Sequence, residues 1–269
     1  MKTHNYLIIA SGVMATAIPH AQGATTWAAG APGGSSGGSL DFDGSSFLDT
    51  GIASVDVGGN RNDGGTDYTV SMWINSDADA QQWFFGTGNQ GLHLGVRSGG
   101  GIDNSLSQGH WGADSDGTTS IVADAWNHAT FTFDADGGGA GTGQQTIYLN
   151  GVMQSQTDKI ASNNSSTNLI LGGRNNGAAW DGQIDDLAIW NSVLSGGDIA
   201  AVAGGAAGNT LGAMAYWDFE DDQTGMTAGQ SGIGGLGAGD FTGITGIPEP
   251  SSLALVLVGA VGLLRRKRS

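Results

Sequence analysis

The chain contains no cysteine, which excludes disulfide bridges, thiolate nucleophiles and cysteine-ligated metal sites. It is also poor in positive charge, because nine lysines and arginines stand against 25 aspartates and glutamates in 269 residues, a formal net charge of −16. Five of these cations and one acid lie in the two terminal segments, which leaves residues 24–246 with a net charge near −20. Such a surface repels phosphates, so nucleic acid is excluded as a partner, while cations such as Ca²⁺ are attracted.

Long apolar runs are missing too, and a short one lies near the N-terminal end. Residues 6–18 are mostly apolar but fall short of the about 20 residues that a membrane span needs. With Lys2 before this run and Ala21-Gln22-Gly23 after it, the sequence predicts a signal peptide over 1–23, cleaved before Ala24. A buried N-terminal helix is the alternative interpretation.

A second short apolar run, 251–264, lies near the other end of the chain. It is preceded by Pro248, Glu249 and Pro250 and followed by a basic cluster that begins with Arg265 and Arg266. This order of parts, over residues 247–269, resembles the PEP-CTERM sorting signal of Gram-negative bacteria. The resemblance implies that the C-terminal helix is held in the inner membrane until an exosortase-type enzyme processes the tail. The protein would then reach the cell envelope, the outer surface or the extracellular matrix. A plain C-terminal anchor is the alternative.

Between the ends, the sequence predicts β-strands rather than helices. Apolar residues alternate with polar ones over 67–75, 129–133, 146–150 and 183–190, and clusters of Gly, Asn and Asp separate these segments. Residues Tyr68, Val70, Met72 and Ile74 are predicted to share one face. A helix is predicted over 197–203, with Ser195 as its N-cap. The expected fold is an antiparallel sandwich or barrel.

Five segments in order resemble the strands of laminin-G-like, concanavalin A-like jelly rolls. They are Leu40-Asp-Phe-Asp-Gly44, Tyr68-Thr-Val-Ser-Met-Trp-Ile74, Trp126-Asn-His-Ala-Thr-Phe131, Ile147-Tyr-Leu-Asn-Gly151 and Trp180-Asp-Gly-Gln-Ile-Asp-Asp-Leu-Ala-Ile-Trp190. The resemblance implies an all-β jelly-roll sandwich of two packed sheets over 39–205, after a Gly/Ser-rich linker at 24–38. Residues 206–246 are then either appended strands, starting at Ala215-Tyr-Trp217, or a glycine-rich spacer.

Glutamate is nearly absent, which bears on catalysis. Laminarinases and lichenases of this sheet topology act through a pair of glutamates, whereas this chain has only Glu220 and Glu249. No aspartate pair stands out as a substitute, since the three Asp-x-Asp-Gly segments at 41–44, 114–117 and 134–137 are interpreted as turns. We therefore expect no enzyme activity. A laminarinase-like glycoside hydrolase is the disfavoured alternative.

Tryptophans are the candidate ligand-binding residues. Trp83, Trp111 and Trp180 fall near predicted loops, where exposed indole rings would stack on sugar faces, and partial burial of these rings is the alternative. Trp73, Trp126 and Trp190 fall within the strand segments of the resemblance and are expected in the core. The sequence thus favours a non-catalytic surface or matrix protein that binds glycan or exopolysaccharide, or that acts as an adhesive or structural module.

The resemblance also implies one structural Ca²⁺ between the first and last strands, with Asp185 as a ligand. Strict alternation places either Asp185 or Asp186 on a face with apolar residues, where a carboxylate needs a partner or a cation. Asp43 is the expected second ligand, because the first and last strands pair in this topology. The alternative is that Asp185 accepts backbone N–H bonds from the turn at Gly44.

Overall fold

Alternation of apolar and polar side chains folds this chain into two antiparallel sheets. The computed structural model describes residues 26–34, 37–45, 47–53, 66–76, 81–87, 91–99, 102–110, 113–139, 141–159, 168–173 and 178–219. The predicted signal peptide (1–23) and sorting tail (247–269) lie outside the described residues. Within these ranges, no helix has both the length and the hydropathy that a membrane crossing requires.

The described residues form strands, one α-helix and one 3-10 helix. The strands are β1 (Thr26–Ala29), β2 (Gly38–Asp43), β3 (Leu48–Ala53), β4 (Tyr68–Asn75), β5 (Gln82–Thr87), β6 (His93–Gly99), β7 (Ile102–Gly109), β8 (Asp114–Ser120), β9 (Asn127–Asp134), β10 (Gly143–Leu149), β11 (Val152–Lys159), β12 (Asn168–Leu171), β13 (Asp181–Trp190) and β14 (Ala215–Trp217). The helix α1 spans Gly196–Ala203, and the 3-10 helix spans Gly208–Leu211.

The strands pair into a larger and a smaller sheet. The larger sheet has the order β1-β2-β13-β4-β9-β10-β11, and β14 also pairs with β13. The smaller sheet has the order β3-β12-β5-β6-β7-β8. The two sheets face each other across one apolar core, so the predicted jelly-roll sandwich is confirmed.

Strand β4 shows how the sequence positions this core. Its residues Tyr68, Val70, Met72 and Ile74 are fully buried between the sheets, as the period-2 pattern predicts. The opposite face of β4 is buried as well, because the helix α1 and the 3-10 helix pack over the larger sheet. Ser195 caps α1 by accepting a hydrogen bond from the backbone N–H of Asp198 at 3.2 Å, which confirms the predicted helix start.

Three segments differ from the sequence-based expectations. Within the expected linker, Thr26–Ala29 form the edge strand β1, which pairs with β2. Ala215–Trp217 form β14 beside β13, so this part of 206–246 is an appended strand, while residues 220–246 lie outside the described residues. The segment 114–117 is the start of β8 rather than a turn, because its two aspartates alternate with Ser115 and Gly117 on a paired strand.

A buried hydrogen-bonded chain joins the two sheets at one end of the core. The Tyr68 hydroxyl lies 2.8 Å from His110 Nε2 and accepts a hydrogen bond from Gln108 Nε2 at 2.8 Å. Gln145 Nε2 donates to His110 Nδ1 at 3.2 Å, so the imidazole proton resides on Nε2. Burial raises the pKa of Tyr68 well above its usual range, and the phenol stays neutral.

The last strands of the two sheets lie against each other along one side of the sandwich. Strand β8 ends the smaller sheet and β11 ends the larger one. The Thr118 hydroxyl on β8 donates to the Gln154 carbonyl on β11 at 3.1 Å. The two edge strands therefore touch at this point, while the side chains of β11 are exposed or half-buried.

His128 on β9 is buried under the outer layer of the larger sheet, as a packed residue rather than an exposed one. Its Nε2 lies 3.0 Å from the Ser71 hydroxyl, its Nδ1 lies 3.4 Å from the Thr130 hydroxyl, and its ring meets Trp73 edge to face. No carboxylate contacts the ring in these interactions. Burial lowers the pKa of His128 to about 3, so the imidazole is neutral at physiological pH.

His128 should make the stability of the protein depend on pH. In the unfolded chain a histidine takes up a proton near pH 6.5, whereas folded His128 does so only near pH 3. The free energy of unfolding should therefore fall below pH 6.5, by up to about 1.4 kcal/mol per pH unit. Urea unfolding at pH 7, 6 and 5 should give a smaller fall for His128→Gln than for the wild type. Parallel pH curves for the two proteins would contradict this assignment.

Candidate functional site

Polar side chains gather on the outer face of the smaller sheet, which points away from the core. On β6, Leu94 and Val96 point into the core, so His93, Gly95 and Arg97 point outward. Cross-strand pairing places Ser105, Ser107 and Gly109 of β7 on the same face, followed by Asp114 and Asp116 of β8. The alternation of three neighbouring strands thus builds one polar surface.

Four of these residues form a hydrogen-bonded cluster, here named the Arg97 network: His93, Arg97, Asp114 and Asp116. Arg97 donates through Nε to Asp116 Oδ1 at 2.6 Å and through Nη2 to Asp116 Oδ2 at 2.7 Å. Its Nη1 donates to Asp114 Oδ2 at 2.8 Å, and His93 Nε2 lies 3.1 Å from Asp114 Oδ1. Since a carboxylate can only accept, His93 Nε2 carries a proton.

The Arg97 network spans β7 because the outward residues of β7 are small. Arg97 on β6 reaches over Ser105 and Ser107 to the aspartates of β8, and both serines are fully buried. His93 reaches over Gly109 in the same way, and a Cβ on Gly109 would overlap both His93 Nε2 and Asp114 Oδ1. The absence of a side chain at Gly109 is therefore a condition for the His93–Asp114 contact.

The network combines charge pairing with partial exposure. The side chains of Arg97, Asp114 and Asp116 are 23%, 25% and 20% exposed, whereas that of His93 is 4% exposed. The hydrogen bond with His93, together with the charge of Arg97, lowers the pKa of Asp114 below its usual range. The hydrogen bond to Asp116 is the largest cause that raises the pKa of Arg97. Arg97 and Asp114 therefore stay ionised at neutral pH and present their charges to solvent.

Two of the tryptophans predicted to stack on sugars, Trp83 and Trp180, are buried rather than exposed. Trp83 is 2% exposed, since its ring packs against Gly95 and meets His93 edge to face at 4.6 Å. Trp180 is fully buried in the core and meets Phe84 edge to face. The prediction of exposed platforms is wrong for these two residues, because neither ring has a free face. Trp111 lies outside the described residues.

Asp185 is buried and accepts hydrogen bonds from the backbone. Its Oδ2 accepts from the N–H of Ala31 at 2.8 Å, and its Oδ1 accepts from the N–H of Asp186 at 2.7 Å. These donors differ from the expected Gly44 turn. A β-bulge with Asp186 at φ 49° inserts an extra residue, so both aspartates lie on the outer side of the sheet. The expectation that one of them shares the core face is therefore wrong.

Asp43 lies far from Asp185 and does not join it in a common site. Asp43 pairs with Asp181, four residues along β13 from Asp185, or about 13 Å. It is exposed and accepts from the backbone and hydroxyl of Ser45. Two ligands of one Ca²⁺ lie within about 5 Å of each other, so an ion shared by Asp43 and Asp185 does not fit.

The described residues contain no group of three or more His, Asp or Glu that could hold a metal. Calcium binding at Asp185 stays a prediction.

Sequence reasoning missed the Arg97 network, although part of its signal is visible. The alternation in His93-Leu-Gly-Val-Arg97 and in Asp114-Ser-Asp116 places polar residues on one face of each segment. That pattern does not reveal that β6, β7 and β8 are neighbours in one sheet. The Asp-x-Asp-Gly pattern at 114–117 is typical of a turn, so it does not indicate that Asp114 and Asp116 lie side by side on a strand.

The chain is similar to one protein family and to several solved structures. Residues 49–200 match a laminin-G-type family model described as the concanavalin A-like lectin/glucanases superfamily. Domain 4 of AbnA, a GH43 extracellular arabinanase from Geobacillus stearothermophilus, in complex with arabinotriose, is 20% identical with a TM-score of 0.46, over 67% of this chain and 87% of that chain. The CBM40 of Ruminococcus gnavus IT-sialidase, bound to α2,3-sialyllactose, is 18% identical with a TM-score of 0.47. The match covers 61% of this chain and 96% of that chain. A comparison with curated protein sequences gives no match.

Gly109→Ala should disrupt the Arg97 network. The new methyl group would displace His93 and Asp114, and we expect a loss of about 1–3 kcal/mol in the free energy of unfolding. Gly196→Ala is the matched control, because a Cβ there meets nothing within 4 Å, and its effect should stay within about 0.5 kcal/mol. Denaturant unfolding of both variants measures the difference, and equal stabilities would contradict the close approach at Gly109.

Proposed function

Since the chain belongs to the concanavalin A-like lectin/glucanases superfamily, we propose that its sandwich binds a glycan on the outer face of the smaller sheet. The observation that carries this proposal is the Arg97 network. It holds Arg97, Asp114 and Asp116 in fixed positions, each about one-fifth to one-quarter exposed. Among the described residues, the helix α1 packs on the larger sheet, so it does not cover this face.

The chemistry of the network suits sugar hydroxyls. A hydroxyl both donates and accepts, and a charged partner makes either hydrogen bond stronger than a neutral one. Arg97 and the two aspartates supply donors and acceptors side by side, and their mutual contacts fix their geometry before a ligand arrives. Side chains that are already ordered lose little entropy on binding, which favours affinity.

The proposed module is non-catalytic. Asp114 and Asp116 lie on one face of β8, which is the arrangement that a two-carboxylate glycosidase would need. Such an enzyme also needs one carboxyl with a raised pKa to protonate the leaving group. His93 and Arg97 instead lower the pKa of Asp114, and Arg97 binds both oxygens of Asp116. These contacts favour binding over hydrolysis.

We place this module in an exported surface or matrix protein. The support is the sequence alone, namely the leader at 1–23 and the Pro248-Glu249-Pro250 tail with its apolar run and arginines. An exopolysaccharide, which a protein at the cell surface or in the matrix would meet, is then the proposed ligand. An exosortase-type enzyme is the proposed processing partner. An adhesive or purely structural role is the alternative if no glycan binds.

A glycan array probed with the purified full chain, followed by calorimetric titration of the hits, tests the binding function. Arg97→Lys should weaken binding on the order of tenfold, because an ammonium group cannot reproduce the fork that holds both aspartates. Lys159→Arg, the reciprocal exchange on β11 in the other sheet, is the matched control and should leave affinity unchanged.

Two outcomes would overturn the binding proposal. One is a blank array for a wild-type chain whose thermal melt shows that it is folded. The other is bound glycan with equal affinities for wild type, Arg97→Lys and Lys159→Arg, since the ligand would then sit away from the network.

Export has a separate test in the native host. The mature protein should begin at Ala24, and its intact mass should lack residues 1–23 as well as any part of the tail that processing removes. Full-length protein recovered from the cytoplasm would contradict export without bearing on glycan binding.

A further inference from the structure

The Arg97 network has more acceptors left to offer than donors. A guanidinium carries five N–H groups, and Arg97 already donates three of them to the two aspartates. The carboxylates of Asp114 and Asp116 have about eight lone-pair sites, of which Arg97 and His93 occupy four. About four acceptor sites therefore remain against two donors.

The network also carries a net negative charge, which favours a positively charged ligand just as the surplus of acceptors favours a donor. Two carboxylates face one guanidinium, and Arg97 is neutralised by aspartates on both of its edges. Arg97 is thus a poor binding group for a carboxylate or sulfate ligand, because its Nε and Nη2 already donate to both oxygens of Asp116. The surrounding chain adds a net charge near −20 over residues 24–246, which repels anions before they reach the site.

We propose that the preferred ligand is a glycan built of free amino sugars, whose ammonium groups bind the outer lone pairs of Asp114 and Asp116. An ammonium group brings three donors, no acceptor and one positive charge, which matches what the network lacks. A carboxylate or sulfate brings acceptors alone and meets like charge. This inference rests on the proposed glycan-binding function and names the ligand class for that same site.

Three oligosaccharides separate charge from shape. A tetramer of β-1,4-linked glucosamine carries the ammonium groups, its fully N-acetylated counterpart has the same skeleton without charge, and a galacturonate tetramer carries carboxylates. Calorimetric titration of the full chain should give at least about tenfold tighter binding of the free amine than of the acetylated tetramer. The galacturonate tetramer should not bind. The preference for the amine should shrink as salt rises, because screening weakens exposed charge pairs.

A variant pair distinguishes the site from general attraction to an acidic protein. Asp116→Asn keeps an oxygen for Arg97 but removes one charge from the network, and it should abolish most of the amine preference. Asp136→Asn removes the same charge from an exposed turn after β9 and should leave the preference intact. Equal losses in the two variants would overturn the proposal, since the amine would then bind the whole acidic surface.

The remaining outcomes separate this inference from the function on which it rests. Binding of the acetylated or galacturonate tetramer as tightly as the amine, with loss in Arg97→Lys, would reject the ligand class and keep the glycan site. The absence of any binding by a folded chain, on the tetramers and on the array, would reject the function itself.

Discussion

The pairing of buried polar groups constrains this sandwich in addition to its apolar core. Asp185 is buried, and its carboxylate accepts hydrogen bonds from the N–H groups of Ala31 and Asp186. The first of these contacts ties the N-terminal strand region to β13. Tyr68, His110 and Gln145 join the two sheets in a similar way, through a chain of hydrogen bonds inside the core. A chain without cysteine thus gains long-range links from polar side chains whose separation would leave buried groups without partners.

The same requirement shapes the outer face of the smaller sheet. Arg97 and His93 reach their partners on β8 because β7 between them carries serine and glycine instead of larger side chains. The resulting charges are fixed and partly exposed, which is the state that a preorganised binding surface needs. The small side chains of β7 therefore determine which charged groups of β6 and β8 can meet over it. The site is built by three strands rather than by a loop.

Local patterns in the sequence predict elements better than they predict neighbours. The alternation in β4 and the Ser195 cap of α1 are short-range features, and the structure confirms both. The bulge at Asp186 and the contact between His93 and Asp114 depend on registers between strands, which alternation does not specify. The burial of Trp83 likewise depends on Gly95 of the neighbouring strand, so a position near a loop misled the prediction of exposure. Residues that meet only through pairing could not be identified from one sequence.

The contact between β8 and β11 has a consequence for self-association. Open sheet edges offer unpaired backbone groups to other chains, and this is how many β-proteins aggregate. Here the hydrogen bond between Thr118 and Gln154 brings two terminal strands together, so another chain could not pair with either edge at this point without displacing that contact. On the far side, the larger sheet ends in the four-residue strand β1, too short to template much growth. The layout of the sandwich thus limits the places at which another chain could extend the larger sheet.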